Sequence, residues 1–379
     1  MGSCSVGAIA ISLSTIGYTS QSRDCSKRLL YQLGRDEARC ETATRGHRIE
    51  TTTMLSTTFQ EQVILEEPDE KNSLKVRLTI GIAAHNEASN IGNLMTQVRS
   101  EIGKQDEIVI VASGCTDKTA EIVLHHARAD RRVKVILEEQ RGGKSLAINK
   151  ILSEFRGEML LLVSADVLPL DGSITSMVST MESDRSIGVV SSQPRPVNGH
   201  RGLIGYLGHL YWRLHHQTLS LLDASGQNTH GGEAILVRSG IVSSLPVDCI
   251  NDDAFIGVEA ALKGFRVKYC PQAIVKTKTP ETIRELVRQR RRIIAGHLKV
   301  KRHTGKYPRV LTIMTVKDPS RFIRVIGQEL WSRPTSLPKL LAATYLEGVS
   351  ALLAICDTIT RRDHVLWKTA VTTKFLGDN

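Results

Sequence analysis

Between Val76 and about residue 190, apolar runs alternate with longer amphipathic stretches. LTIGIAAH, EIVIVAS, VKVILE and EMLLLVSAD are each followed by a helical pattern, starting near Ala88, Asp117, Lys144 and Gly172. Nearly continuous apolar strands leave no face for water, and the intervening helices supply the cover, so the pattern dictates an α/β fold with a mostly parallel sheet and helices on both faces. Ligands of such sheets bind beyond the carboxyl ends of the strands. The four runs end on His85-Asn86-Glu87, on Ser113-Gly114-Cys115, on the Glu139-Gln140-Arg141-Gly142-Gly143-Lys144 loop and on Ser164-Ala165-Asp166. These groups are expected to converge on one site.

After about residue 190 the alternation breaks down. Helical patterns at 203–222, a turn at Gly231-Gly232, a strand at 234–238 and a helix at 253–263 predict an attached half that completes a cleft. The first 73 residues are rich in Ser, Thr and charge and read as a poorly ordered leader, with EEPDEK at 66–71 as the boundary. The mildly apolar stretch 6–16 has no basic residue before it, and Val6 occupies the position where myristoylation needs Ser or Thr, so neither a signal peptide nor that lipid is expected. Near the other end, 340–356 (LLAATYLEGVSALLAIC) is membrane-like but only 17 residues long and carries Glu347, which fits a marginal span, an interfacial helix or a core helix. Seven scattered cysteines without a CxxC pair indicate a reducing compartment and no structural zinc.

Lysine and arginine exceed aspartate and glutamate by 50 to 39, and much of the excess lies in 284–302 (RELVRQRRRIIAGHLKVKR). Such a cluster suits a phosphate-bearing partner: a nucleoside diphosphate, an anionic lipid surface or nucleic acid, unless it is a solvated helix face. Nucleic acid is disfavoured, because the basic stretch lacks interleaved aromatics and aromatic content is only 4%.

Four short motifs carry chemistry. GGKS at 142–145 lacks the first glycine of a P-loop, since Glu138 stands there, yet a glycine pair before a helix with a lysine in its first turn suits a phosphate. SGCTDKT at 113–119 offers Thr116 or Asp117 as a helix cap. Asn251-Asp252-Asp253 precedes a helix that stops at Gly264; one carboxylate is expected to cap it, leaving the other as a base whose pKa is raised by its neighbour. QRRRIIAGH at 289–297 sets Gln289 and Arg292 on one helical face, with Ile293 and Ile294 on the buried side. The pairs His125-His126 and His215-His216 are adjacent, so their members point apart and read as ordinary surface or core histidines.

Taken in order, these pieces resemble the family 2 glycosyltransferases, inverting nucleotide-sugar enzymes with a GT-A fold, over about residues 78–296. IAAHNEASNIGNL is similar to the opening strand and NE turn, SGCTDKT to the second strand motif, RGGKSLAIN to the GKxxALN segment and SADVLP to the metal motif. GGEAILVRSG resembles the acceptor-side loop, NDDAFIGVEAALKGFRV the ED motif, and QRRRIIAG the QxxRW motif of the polysaccharide-synthase-like branch. The resemblance implies a GT-A domain at 74–305, with a nucleotide half at 74–190 and an acceptor half at 191–305. It leaves 306–379 as a helical C-terminal extension that could meet a membrane.

By the same resemblance, Glu87, Asp117, Lys144, Asp166 and Arg292 bind the donor, and Asp166 holds Mg²⁺ or Mn²⁺. Gly232, Glu233, Asp252 and Gln289 lie on the acceptor side, and Asp253 is the general base. The chain departs from the family pattern at Ala112-Ser113, where an aspartate pair is usual, at Ser164, the first Asp of the DxD motif, and at Ile293, the tryptophan of QxxRW. The implied partners are a nucleoside-diphosphate sugar and a lipid-linked or saccharide acceptor at the cytoplasmic face of a membrane, with an anionic lipid surface nearby. Two other readings compete: a degenerate GT-A scaffold, and a sugar-phosphate nucleotidyltransferase, which would carry a Gly-rich basic loop after the first strand that AAHNEASN lacks.

Overall fold

In a computed structural model the described residues are 76–362, 364 and 371–373. The expected leader at 1–73 lies outside them. The expected alternation is present as β1 (Leu78–Ala84), α1 (Ile91–Glu101), β2 (Glu107–Ser113), α2 (Thr119–Ala129), β3 (Val133–Glu138), α3 (Lys144–Glu154), β4 (Met159–Ser164) and α4 (Ser173–Ser183), with a two-residue β5 (Leu168–Pro169) before α4. The first two helices start a few residues later than their sequence signals, at Ile91 and Thr119.

Strand β1 pairs in parallel with β2 and β4, and β2 with β3. Its alternate residues Leu78, Ile80, Ile82 and Ala84 enter one core with Ile108 and Ile110 of β2, while Val109, Val111, Leu160 and Leu162 enter a second core on the opposite face. Period-two alternation with both faces apolar is what a sheet covered on two sides requires. Fully burying residues such as Ile80, Ile82, Ile108 and Ile110 contributes about 1.5–3 kcal/mol each.

The second half adds β6 (Ile187–Pro196), α5 (Gly202–Ala224), β7 (Ala234–Arg238), α6 (Asp252–Leu262) and β8 (Arg266–Thr277). The sheet has the order β3-β2-β1-β4-β7-β6-β8-β5. Strand β7 runs antiparallel to both β4 and β6. Its amino end therefore lies beside the carboxyl end of β4, bringing Gly231 to Glu233 to the ligand edge from the opposite direction.

The remaining helices are α7 (Ile283–Thr304), α8 (Leu311–Lys317), α9 (Pro319–Ser332) and α10 (Leu337–Ile359). Helix α7 starts on a side-chain N-cap, with the Thr282 hydroxyl accepting from the Glu285 backbone N–H at 3.2 Å and donating to the Glu285 carboxylate at 3.3 Å. It stops at Gly305, a left-handed residue with φ 74°.

Ion pairs tie the C-terminal helices to this body. Arg290 on α7 forks onto Glu347 of α10 at 2.7 and 2.8 Å, where Thr312 of α8 also donates at 2.6 Å. Arg291 pairs with Asp357, and Arg213 of α5 forks onto the fully buried Glu329 of α9. Among the described residues one helical stretch, Pro334–Ile359, is long and apolar enough to cross a membrane by length and composition. It contains the segment 340–356, and its Glu347 is committed to Arg290.

Candidate active site

The carboxyl ends of β1, β2 and β4, the amino end of β7 and the first turns of α3 and α6 open onto one cavity of about 1330 Å³, further lined by α5, α7 and the C-terminal helices. Around its strand-end wall stand His85, Glu87, Ser113, Arg141, Lys144, Ser164, Asp166, Glu233, Asp252 and Asp253, with Gln289 and Arg292 facing them from α7. The four strand-end groups named from the sequence thus meet.

The loops after β1 and β2 are knitted together. Asn86, at φ 55°, accepts from the Thr116 backbone N–H at 2.7 Å and donates to its hydroxyl at 3.1 Å. Asp117 does not line this cavity: one oxygen accepts from Thr119 N–H at 2.9 Å and the other from Ala88 N–H at 3.1 Å. The cap of α2 is Lys118 without a side-chain bond, so Asp117 acts one residue earlier than expected, as an Asx-type brace. Glu87 is buried, lines the cavity and accepts from Asn90 at 3.0 Å.

Lys144 reaches from the first turn of α3 to donate to the Ser164 hydroxyl at 3.2 Å and to pair with Asp252 at 3.0 Å. Burial disfavours its charge, but Asp252, Glu233 and Asp253 outweigh that and raise its pKa. Expecting an acidic cap on α6 proves incorrect. The cap is Asn251, which makes no side-chain cap bond, and both aspartates lie inside the first turn, where the site's cations compete for them. Asn251 instead donates to Ile293 O at 2.9 Å and packs on Gly296, where a Cβ would lie 2.5 Å from its side-chain oxygen. That contact clamps α7 over α6 and sets Arg292 above the carboxylates. Burial lowers the Arg292 pKa, opposed by Glu233, Asp252, Asp166 and Asp253. Of the two isoleucines beside it, Ile294 is buried and Ile293 only partly so.

Asp253 approaches the loop before β7 closely enough that a Cβ on Gly231 would lie 3.3 Å from its own Cβ. Its carboxylate lies 3.5 Å from His230 Nδ1. Burial raises the Asp253 pKa; Asp252 adds to the rise while His230 and Lys144 oppose it. Glu233 is pushed up to about 7, first by burial and then by Asp166.

The histidine reading needs a correction. His216 bonds to the Tyr269 hydroxyl at 2.8 Å, but His215 turns to the cavity and stacks edge-on with His230, which in turn meets His297, at centroid distances of 5.4 and 5.9 Å. Burial drives all three imidazoles below their usual pKa. His230, His297 and Arg141 were not singled out by sequence. Only Arg141 had a local signal, its place in a loop already aimed at the site. Among the described residues no group of three or more His, Cys, Asp or Glu is arranged to hold a metal.

With this geometry in place, comparison with known proteins gives a consistent picture. The profile of the family described as "Glycosyltransferase like family 2" matches residues 76–296. The poly-beta-1,6-N-acetyl-D-glucosamine synthase of Staphylococcus aureus (strain COL) is 27% identical over 227 residues, 58% of this chain and 54% of that protein. The Staphylococcus epidermidis synthase of the same name is 26% identical over 223 residues, 57% and 53% of the two chains. The chain spans about half the length of the curated relatives it matches. Among solved structures, a mannosyltransferase from Pyrobaculum calidifontis in complex with GDP-Man and Mn²⁺ has TM-score 0.57 and 18% identity, covering 76% of this chain and 88% of that one. This last likeness establishes a shared fold.

Proposed function

From the premise that the chain belongs to glycosyltransferase family 2, we propose that it transfers a sugar from a nucleoside-diphosphate sugar to a lipid-linked or saccharide acceptor, with inversion at the anomeric carbon. The observation that carries this reading is the meeting, in one cavity, of the cations Lys144 and Arg292 with the carboxylates Asp166 and Asp253. Cations suit a diphosphate leaving group, and an elevated carboxylate suits removal of a hydroxyl proton.

In a single displacement the acceptor oxygen attacks the anomeric carbon as the bond to the diphosphate breaks. Asp253 takes the hydroxyl proton, and burial, by raising its pKa, makes it a stronger base than an exposed aspartate. Lys144 and Arg292 meet the charge that develops on the departing phosphate. Asp166, whose carboxylate has no hydrogen bond or ion pair to another described residue, is a hard oxygen donor open to the cavity and fits Mg²⁺ or Mn²⁺. Asp166 would hold such a cation, which would add positive charge opposite the leaving group.

The acidic limb of the kcat/KM profile is expected at a pH above the ordinary aspartate value of about 3.9, because burial and Asp252 raise Asp253 more than His230 and Lys144 lower it. Activity is lost as pH falls through that raised pKa. A limb at an ordinary carboxylate pKa would argue for a different base.

The acceptor reading draws on the C-terminal helices. Ile323 and Trp331 on α9, and Leu341, Tyr345, Leu352 and Ile359 on α10, are exposed, and Lys317, Arg321, Arg324, Arg333 and Lys339 lie on or beside these helices. Exposed apolar groups among cations suit an anionic lipid surface. The chain is expected to float with phosphatidylglycerol vesicles at low salt and to lose much of that association in Trp331→Glu. Recovery of the wild-type chain in the soluble fraction at low salt would contradict surface docking.

A sugar-transfer assay tests the whole reading. Incubation with labelled UDP- and GDP-sugars, Mn²⁺ and a polar lipid extract should yield a glycosylated product of inverted anomeric configuration. Retention of configuration would contradict single displacement.

A further inference from the structure

The serine at 164 leaves the metal side of the site with one aspartate from β4, but strand pairing brings a second carboxylate to the same place. Val163 of β4 lies opposite Ala234 of the antiparallel β7. The next pair is Ser164 with Glu233, and Ser164 N–H donates to Glu233 O at 3.4 Å. Directly opposed residues on antiparallel strands project from the same side of the sheet, with Cβ atoms about 4.5–5.5 Å apart. Ser164, Asp166 and Glu233 all line the cavity.

The carboxylates around them divide into two kinds. Asp252 is paired with Lys144 and Glu87 accepts from Asn90. Asp166 and Glu233 take no hydrogen bond or ion pair from any other described residue. Two unpaired carboxylates on one wall repel each other unless they share a counter-charge. Glu233 is also held in place from behind: a Cβ on Gly232 would lie 3.3 Å from Ser192 O and 3.4 Å from Pro194, so the chain entering β7 is pressed against β6.

We infer that Glu233 supplies the second carboxylate of a divalent cation site begun by Asp166, in the place that Ser164 vacates. The inference rests on the donor-site reading above and moves Glu233 from the acceptor side to the metal side. Two carboxylate donors select a hard cation such as Mg²⁺ or Mn²⁺. With no group of three or more such side chains among the described residues, water and diphosphate oxygens complete the shell, which is how Mg²⁺ is commonly held with substrate phosphates. Lys144 donates to Ser164, so the serine hydroxyl is engaged by a cation of the protein rather than by the metal.

The test is Mn²⁺ binding to the full chain, read from the electron paramagnetic resonance signal of free Mn²⁺, with GDP and with UDP in parallel. Glu233→Gln should weaken Mn²⁺ at least roughly ten-fold, the scale on which even indirect metal contacts act. Its diphosphate affinity in EDTA and its melting temperature should stay at the wild-type values. Adding Ser164→Asp to Glu233→Gln should restore most of the lost Mn²⁺ affinity, a rescue that a packing defect would not show. Wild-type Mn²⁺ affinity in Glu233→Gln overturns the inference alone, as does a loss that Ser164→Asp leaves unrepaired. A wild-type chain that binds neither diphosphate overturns the donor-site reading and this inference with it.

Discussion

Asp253→Asn is expected to lower sugar transfer by roughly 10²–10⁴-fold, the usual contribution of a positioned general base, while leaving nucleoside diphosphate binding intact. The two effects separate because Asp252, not Asp253, pairs with Lys144, so the cations that meet the phosphates keep their partner. Stability gives an independent control. Burial raises the Asp253 pKa in the folded chain, so folding favours its neutral form. That stabilisation is complete below the unfolded pKa and is lost as pH rises through the folded one. Above the folded pKa the wild-type chain bears the cost of an ionised buried aspartate and the asparagine variant does not. The variant should melt no lower than wild type. An inactive variant that melts well below it would reveal a structural role, and one that retains activity would remove Asp253 from the mechanism.

Glu347→Ala carries the largest expected loss of stability. Arg290 is bound by two hydrogen bonds to Glu347, and its guanidinium lies 5.0 Å from the centre of the Tyr211 ring. Removing the carboxylate leaves a cation among α5, α7 and α10 without its counter-charge, and breaking a buried pair in this way costs about 3–5 kcal/mol. Glu347→Gln, which keeps a hydrogen-bond acceptor, should lose less. The comparison also bears on the apolar C-terminal helix. If α10 is docked through Glu347, both variants loosen the body that carries Gln289 and Arg292, and thermal denaturation in detergent-free buffer reports it. Wild-type melting in Glu347→Ala would mean that α10 is held by other means.

The nucleotide half was legible because its strands announce themselves locally. Runs such as EIVIVAS are apolar through their centre, from Ile108 to Ala112, as a doubly covered strand requires, and each is closed by a polar turn. Strand β7 was also visible, but nothing local revealed that it runs antiparallel to β4. Strands β6 and β8 escaped because IGVVSSQPRP and RVKYCPQAIVKT contain prolines and polar residues, and their pairing is interrupted by register shifts.

The site divides in the same way. Lys144, Asp166, Asp252, Asp253, Gln289 and Arg292 lie at the cavity because each sits at an element end or on a helix face that a short motif can identify. His230 and His297 come from separate elements and meet only through tertiary packing, as do Arg290 and Glu347, 57 residues apart in the chain. The expected acid caps failed for a related reason. Propensity scores an aspartate against its own helix, whereas at this site a lysine from another helix competes for it.

The most direct measurement is thermal stabilisation of the full chain by a panel of nucleoside diphosphates, each with Mn²⁺ and with EDTA. At least one diphosphate should raise the melting temperature in a Mn²⁺-dependent manner, with the effect lost in Asp166→Asn and kept in Asp253→Asn. No stabilisation by any diphosphate, or stabilisation that Asp166→Asn leaves unchanged, would contradict a metal-assisted nucleotide-sugar site at the ends of these strands.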